Sequence, residues 1–258
     1  MTVTTADRGA ARVVSWDRQE RRNAWDLETM SAIADAVEGV ATDTEVRCVV
    51  LRGAGEHFSA GDDLQSAIEA DSAAWAATIE GFQRLTRVVL ASPVPAIAAV
   101  DGVCVGGALE FAASCDLRLC TDRVRLLTPE IRIGLVMSNA GTLFLPEVLG
   151  ETAARELLLS GEERDAAWAR ENGFATEMVA PEELDARIDH WAEVFSKSSR
   201  DALAATKAML NERFGDLLPA AMDRETHHCV RLFDEPDARE ALAAFGAGRR
   251  PEGRLPNP

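Results

Sequence analysis

An α/β fold is predicted by three observations on the sequence. Short β-branched runs alternate with longer helical patterns through the first half, helices dominate from Gly141 onward, and 47% of the 258 residues are hydrophobic, ample for a sizeable buried core. RVVSW (12–16) and VRCVVLRG (46–53) predict strands on either side of a helix from about Leu27 to Ala41. A second helix follows from about Ser72 to Leu90, and ASPVPAIAAVDG (91–102) reads as a buried strand entered through prolines and left through a turn. The alternation repeats with a short helix near 107–115 and strand-like LRLCT (117–121) and RVRLL (123–127). Helices are then expected at roughly 141–148, 151–159, 166–171, 182–196, 199–213 and 217–233, with one strand candidate at FATEMVA (174–180). A composition shift near 198–200 divides the chain into a core, 1–198, and a helical region, 199–258, whose apolar faces must pack on the core or on another subunit.

The charge balance narrows the function. With 43 acidic against 27 basic residues, net −16, the chain as a whole repels nucleic acid and anionic membrane, so neither is expected as a partner. Cysteines at 48, 104, 115, 120 and 229 form no CxxC pair and lie mostly in apolar runs, which reads as buried free thiols of a reducing compartment. No run approaches the ~20 apolar residues of a membrane span, and MTVTTADRGA lacks a basic start, so a soluble cytoplasmic protein is expected. His57, His190, His227 and His228 make no metal cluster, and the adjacent last two cannot share a helix face.

Three segments can carry chemistry. In GVCVGGALEFAASC (102–115), Glu110 is the only acidic or basic side chain between Asp101 and Asp116. It reads either as the wet stripe of a half-exposed helix or as a buried carboxyl tuned for proton transfer. Gly106 and Gly107, just ahead, let backbone N–H groups face a site, or simply make a tight turn. LRGAGEHFSAGDDLQ (51–65) leaves a strand and enters a helix, presenting free donors suited to an anion, or is an ordinary turn-rich loop. In LLTPEIRIG (126–134), Glu130 follows Pro129 and possible cap Thr128, as a first-turn acid or as a second functional carboxyl.

The series FSAGDDL, AIAAVDGVCVGGALEFAASCDLRL and TPEIRIGL, in that order and spacing, resembles the enoyl-CoA hydratase/isomerase (crotonase) family. WDRQERRNAW (16–25) and DAREALAAFGAGRRP (237–251) extend the resemblance over nearly the whole chain. It implies a crotonase-like spiral of ββα turns with a C-terminal helical trimerisation region, 199–258, assembled as a homotrimer or dimer of trimers. It also implies an acyl thioester of coenzyme A as substrate and no permanently bound cofactor or metal. By motif position the N–H groups of Asp62 and Gly107 hold the thioester oxygen as charge builds on it, Glu110 orients and activates water, and Glu130 exchanges the proton at C2. Ala60, Asp62 and Leu64 are the implied coenzyme contacts, and with Gln65 where relatives often carry lysine, Arg21, Arg22, Arg249 and Arg250 are the candidate phosphate partners, the alternative being solvated surface arginines.

Two departures bear on substrate and mechanism. Many relatives read PGAGGT where this chain has MSNAGT (137–142), which sets Met137, Ser138 and Asn139 on a loop expected to face the acyl pocket. Asp62 brings a carboxylate to the oxyanion loop, opposing the developing charge unless it points to solvent. The leading expectation is reversible addition of water to a 2-enoyl-CoA. Alternatives are an isomerase or specialised lyase or dehydratase of the same fold, and a non-catalytic acyl-CoA-binding homologue.

Overall fold

The computed structural model describes residues 2–247. Its spine is a six-stranded sheet built from β1 (Thr2–Arg8), β2 (Ala11–Asp17), β3 (Cys48–Gly53), β4 (Ala96–Val100), β6 (Leu117–Thr121) and β8 (Glu177–Val179), in that spatial order. The hairpin β1–β2 is antiparallel and every other pair is parallel, with Val14 facing Leu51 and Leu51 facing Ala98. β5 (Val103–Val105) and β7 (Arg125–Leu127) form a separate parallel pair. Each parallel step is spanned by helix, as short loops cannot return the chain to the same edge: α1 (Leu27–Gly39), the short α2 (Leu64–Ile68) with α3 (Ser72–Ala91), and α4 (Gly107–Ser114). Asp26 and Asp71 cap α1 and α3 by accepting from Thr29 N (2.9 Å) and Ala74 N (2.8 Å).

Sequence and structure agree at 91–102 and differ at β1. The run 91–102 holds one buried strand, β4, entered after Pro93 and Pro95 and left through a turn at Gly102 (φ +54°), from which the chain passes into β5 of the second sheet. β1 was not expected, because TVTTADR is exposed along most of its length and shows no alternation; its order comes from backbone pairing with β2.

Beyond the sheet lie α5 (Gly141–Leu149), α6 (Glu151–Ser160), α7 (Ala166–Glu171), α8 (Leu184–Ser196), α9 (Arg200–Glu212), α10 (Leu217–Phe233) and α11 (Pro236–Gly246). The last helices join the core: Phe214, Ala221 and Met222 pack with Leu51, Leu85 and Phe111. Cys229, Phe233 and Leu242 pack with Trp75, Ile79 and Ile133, and Trp75 stacks on Phe233 at 4.8 Å between ring centroids. All five cysteines are buried free thiols. Among the described residues no helix is long and apolar enough to cross a membrane.

Candidate active site

A cavity of about 100 Å³ opens where the 60–62 loop, the start of α4 and the turn at Glu130 converge. Trp75, Ile79, Phe82, Ile133 and Leu135 supply its apolar wall. Behind that wall Trp16, Trp25, Phe58, Phe82 and Phe111 pack ring against ring, fixing the floor.

The 60–62 loop is pinned from 22–25. Ala60 N donates to Arg22 O (2.9 Å), Trp25 N to Gly61 O (2.8 Å) and Asp63 N to Trp25 O (2.9 Å). Because 61 and 63 take Trp25, the N–H of Asp62 faces away from it and meets no acceptor among the described residues. The N–H of Gly107 is likewise free as the first residue of α4, whereas Gly106 N donates to Leu127 O (2.8 Å). Both free donors belong to residues lining the cavity. The glycines are required by close approach. A methyl at Gly107 would lie 2.5 Å from the Phe82 ring, and one at Gly106, where φ is +56°, 2.6 Å from Glu130 Oε1.

Every residue of α4 is buried, so the half-exposed reading of Glu110 falls; its carboxyl is fully enclosed. Oε2 accepts from Asn139 N (2.9 Å) and Gly141 N (2.8 Å), and Oε1 accepts a longer bond from Ser138 N (3.4 Å). Burial, then the charges of Glu225 and Glu130, push its pKa well up, while the N–H donors pull it back. Glu130 opens a 3₁₀ turn, Glu130–Ile133, and its Oε2 is shut from solvent without a hydrogen-bond partner. Burial raises its pKa to about 7. Thr128 caps nothing there: its hydroxyl donates to Leu157 O (3.1 Å).

Asp62 departs from both sequence alternatives. The residue is half-exposed, yet its Oδ2 is closed off and unpartnered, and burial followed by the neighbouring Asp63 charge lifts the carboxyl to about 7. Near neutral pH much of it is therefore an uncharged acid, which does not oppose an oxyanion.

Ala60 and Leu64 line the cavity. Arg21 and Arg22 are exposed on the loop bonded to Ala60 and form no ion pair among the described residues. Their neighbour Arg18 is instead held by Asp63 (2.7 Å) and Asp26 (3.5 Å). Arg249 and Arg250 lie outside the described residues. The 137–142 loop divides its side chains. Ser138 lines the cavity, and Met137 lines a second, outer hollow of about 310 Å³ with Ile131 and Leu159. Asn139 is fully buried with neither amide atom partnered.

Several residues escaped sequence reasoning. Asn23, in the left-handed region at φ +59°, donates through Nδ2 to Ala54 O and His57 O and so locks the 18–23 loop to the loop leaving β3. Gln83 reaches from α3 to Ser138 O (2.9 Å), Met222 O (3.3 Å) and Thr226 Oγ1 (2.8 Å). Glu225, on α10, accepts from Ala140 N (2.6 Å) and Thr142 N (2.9 Å). An acid on an amphipathic helix looks solvated in sequence; only the docking of α10 reveals its burial. No group of three or more His, Cys, Asp or Glu side chains able to hold a metal ion occurs among the described residues.

The chain is similar in sequence and fold to known proteins. The sequence model described as Enoyl-CoA hydratase/isomerase matches residues 8–252. The chain is 30% identical over 232 residues to a crotonyl-CoA hydratase of Syntrophomonas wolfei, covering 89% of this chain and 88% of that one. It is 29% identical over 245 residues to an enoyl-CoA isomerase/hydratase of Mycosarcoma maydis, covering 91% and 89%. The crystal structure of an enoyl-CoA hydratase/isomerase from Xanthobacter autotrophicus superimposes with a TM-score of 0.88 at 27% identity, covering 99% of this chain and 98% of that one. With the family model spanning nearly the whole chain and the fold following it from end to end, the protein belongs to the enoyl-CoA hydratase/isomerase family.

Proposed function

We propose that this enzyme adds water reversibly to the 2,3 double bond of a 2-enoyl-CoA thioester. The observation that carries the reading is Glu130: a half-buried residue whose carboxyl has one oxygen shut from solvent and without a partner among the described residues, a pKa raised to about 7, and a place in the same cavity as two free backbone donors. The N–H groups of Asp62 and Gly107 take the thioester oxygen, and negative charge developing there is stabilised without reorganisation of the site. Glu110, its carboxyl held by the N–H groups of Ser138, Asn139 and Gly141, accepts a proton from water as the water oxygen bonds to C3. Glu130, protonated, delivers its proton to C2 as the enolate collapses, so the elements of one water are added. Proton exchange between the two carboxyls then restores the starting state.

Ala60 and Leu64 contact the coenzyme, and Arg21 and Arg22 pair with its phosphates, offsetting the net charge of −16. The reading extends to a cytoplasmic homotrimer or dimer of trimers with residues 199–258 as the assembly region. Exposed Met209, Leu210 and Leu217 on α9 and α10, at 66, 64 and 56% exposure, support it. Sedimentation of the full chain as a monomer would remove this part.

A second reading is proton transfer from C2 to C4, a double-bond isomerisation. It is favoured by the full engagement of Glu110 Oε2 against the unpartnered Oε2 of Glu130, which suits a single shuttling carboxyl. Purified protein offered 2-enoyl-CoA and 3-enoyl-CoA across a panel of chain lengths separates the two. Loss of the conjugated-enoyl absorbance with 3-hydroxyacyl-CoA as product is expected. Interconversion of the two enoyl isomers without hydration selects the second reading, and no turnover of either substrate defeats both.

A further inference from the structure

The turn 138–142 presents five consecutive backbone N–H groups, and all five end on carboxylates. Ser138, Asn139 and Gly141 donate to Glu110, whereas Ala140 and Thr142 donate to Glu225, which also accepts from the Thr142 hydroxyl. Ala140 lies in the left-handed region at φ +59°, so the chain reverses there and distributes its donors between two acceptors on two elements. Glu225 is 5% exposed on α10, and Glu110 is fully buried on α4. Gln83 fastens the assembly from α3, gripping Ser138 O of the turn and Met222 O and Thr226 Oγ1 of α10. The fit around Glu110 is tight: a methyl at Gly141 would sit 2.4 Å from Glu110 Oε2.

We infer that Glu225 is a positioning residue for Glu110, holding the 138–142 turn so that its remaining N–H groups fix the Glu110 carboxyl in the orientation the reaction requires. The inference rests on the hydratase reading for what Glu110 does. Without Glu225, the buried N–H groups of Ala140 and Thr142 lose their acceptors, and an unsatisfied buried donor drives its segment to seek another partner. Glu110 is the other acceptor held by this turn, so a turn left to seek new partners displaces that carboxyl from the orientation its proposed role needs. Two buried acids on one turn also sense each other. Glu110 is pushed up by burial and then by Glu225, while Glu225 is pushed up by burial and held back by Thr142 and Ala140. Neither is linked to an arginine or lysine by any ion pair among the described residues; the turn amides are their counterpart.

A double-mutant cycle tests this in the full chain. Glu225→Gln keeps the size but presents an amide group toward N–H donors that need an acceptor. Its kcat is expected to fall roughly 10–100-fold, the range for losing a group that orients a catalytic side chain, with KM changed less than about twofold. In a Glu110→Gln background the same change should cost nothing further, because its whole effect passes through Glu110. Thr142→Val should lower kcat by a smaller factor and Thr142→Ser should restore it. Equal fold losses in both backgrounds, or a rise in KM at constant kcat, overturn the inference. If Glu225→Gln fails to fold by circular dichroism, the Thr142 pair decides in the same two backgrounds. Carboxyl ¹³C NMR of Glu110 keeps the two readings apart. If no enoyl-CoA is turned over but the Glu110 resonance shifts in Glu225→Gln, the hydratase reading falls and the positioning stands. An unmoved resonance removes the positioning whatever the enzyme does.

Discussion

The two loops that meet at the cavity use their backbone N–H groups in opposite ways. On one side, the 60–62 loop and the start of α4 leave Asp62 N and Gly107 N without acceptors among the described residues, although Trp25, Asp63 and Gly106 are all bonded. On the other side, the 138–142 turn leaves none free and spends each on Glu110 or Glu225. Under the proposed function the contrast divides the labour: unpaired donors await a group that must arrive, and paired donors hold a group that must already be in place. Both use main chain, so both depend on glycine where a side chain would intrude, Gly106 and Gly107 on the first side and Gly141 on the second.

The largest way to break the contrast is to remove the carboxyl that faces the free donors. Glu130→Gln should lower kcat roughly 10³-fold, within the span ordinary for a lost general acid, while a saturated acyl-CoA still binds in isothermal titration. Retained turnover would show that the unpartnered oxygen has no part in the chemistry. Next, Gly106→Ala forces a methyl against Glu130 at a left-handed backbone position and disturbs the adjacent donor, for an expected loss of ~10² in kcat. A smaller effect is expected at the coenzyme. Replacing Arg21 and Arg22 together by alanine should weaken thioester affinity about tenfold at unchanged kcat, as lost charge-assisted hydrogen bonds would. Unchanged affinity would move the phosphate contacts elsewhere.

The mildest test is pH. Hydration needs Glu130 protonated and Glu110 ionised, so kcat should be lost on both sides. On the alkaline side it declines as pH rises through about 7 and Glu130 ionises, with Asp62, also near 7, gaining opposing charge. On the acid side it is lost as Glu110, its carboxyl pushed well up by burial and then by Glu225, takes up a proton. Asp62→Asn keeps the backbone donor and should flatten part of the alkaline decline. The stability sign follows from the same shifts. Each folded carboxyl has a pKa above its ordinary value of 4.5 for Glu130 and 3.8 for Asp62, so the folded state holds protons the unfolded chain has lost. Their favourable contribution is complete below those ordinary values and is lost as pH climbs to about 7, so Asp62→Asn should reduce the fall in melting temperature across that window.

What was legible in sequence was what is local. Glu110 stood out because fourteen residues of GVCVGGALEFAASC hold no other acid or base, and its burial on α4 follows from those same apolar neighbours. The glycines before it and the AGDD loop read as ordinary turns by themselves and stood out only through the family resemblance of the whole series. Glu225, Gln83 and Asn23 were not: each is a common polar residue whose partners lie on distant segments, and no spacing announces a bond that exists only after α10 or α3 has docked. β1 was hidden because pairing of backbone, which every residue offers, orders it rather than a buried face. The state of Asp62 was open in sequence because charge alone does not say which carboxyl oxygen is shut from water.

The reach of Glu225 back to the 138–142 turn has a consequence for the order of synthesis. A ribosome delivers the free donors, Glu110, Glu130 and the turn well before α10, so the nascent chain carries both proposed reacting carboxyls while two of the turn's amides still lack their acceptor. On the proposed reading, full competence waits for the last helices to dock, and a chain cut short before α10 is expected to turn over more slowly although Asp62, Gly107, Glu110 and Glu130 are all present.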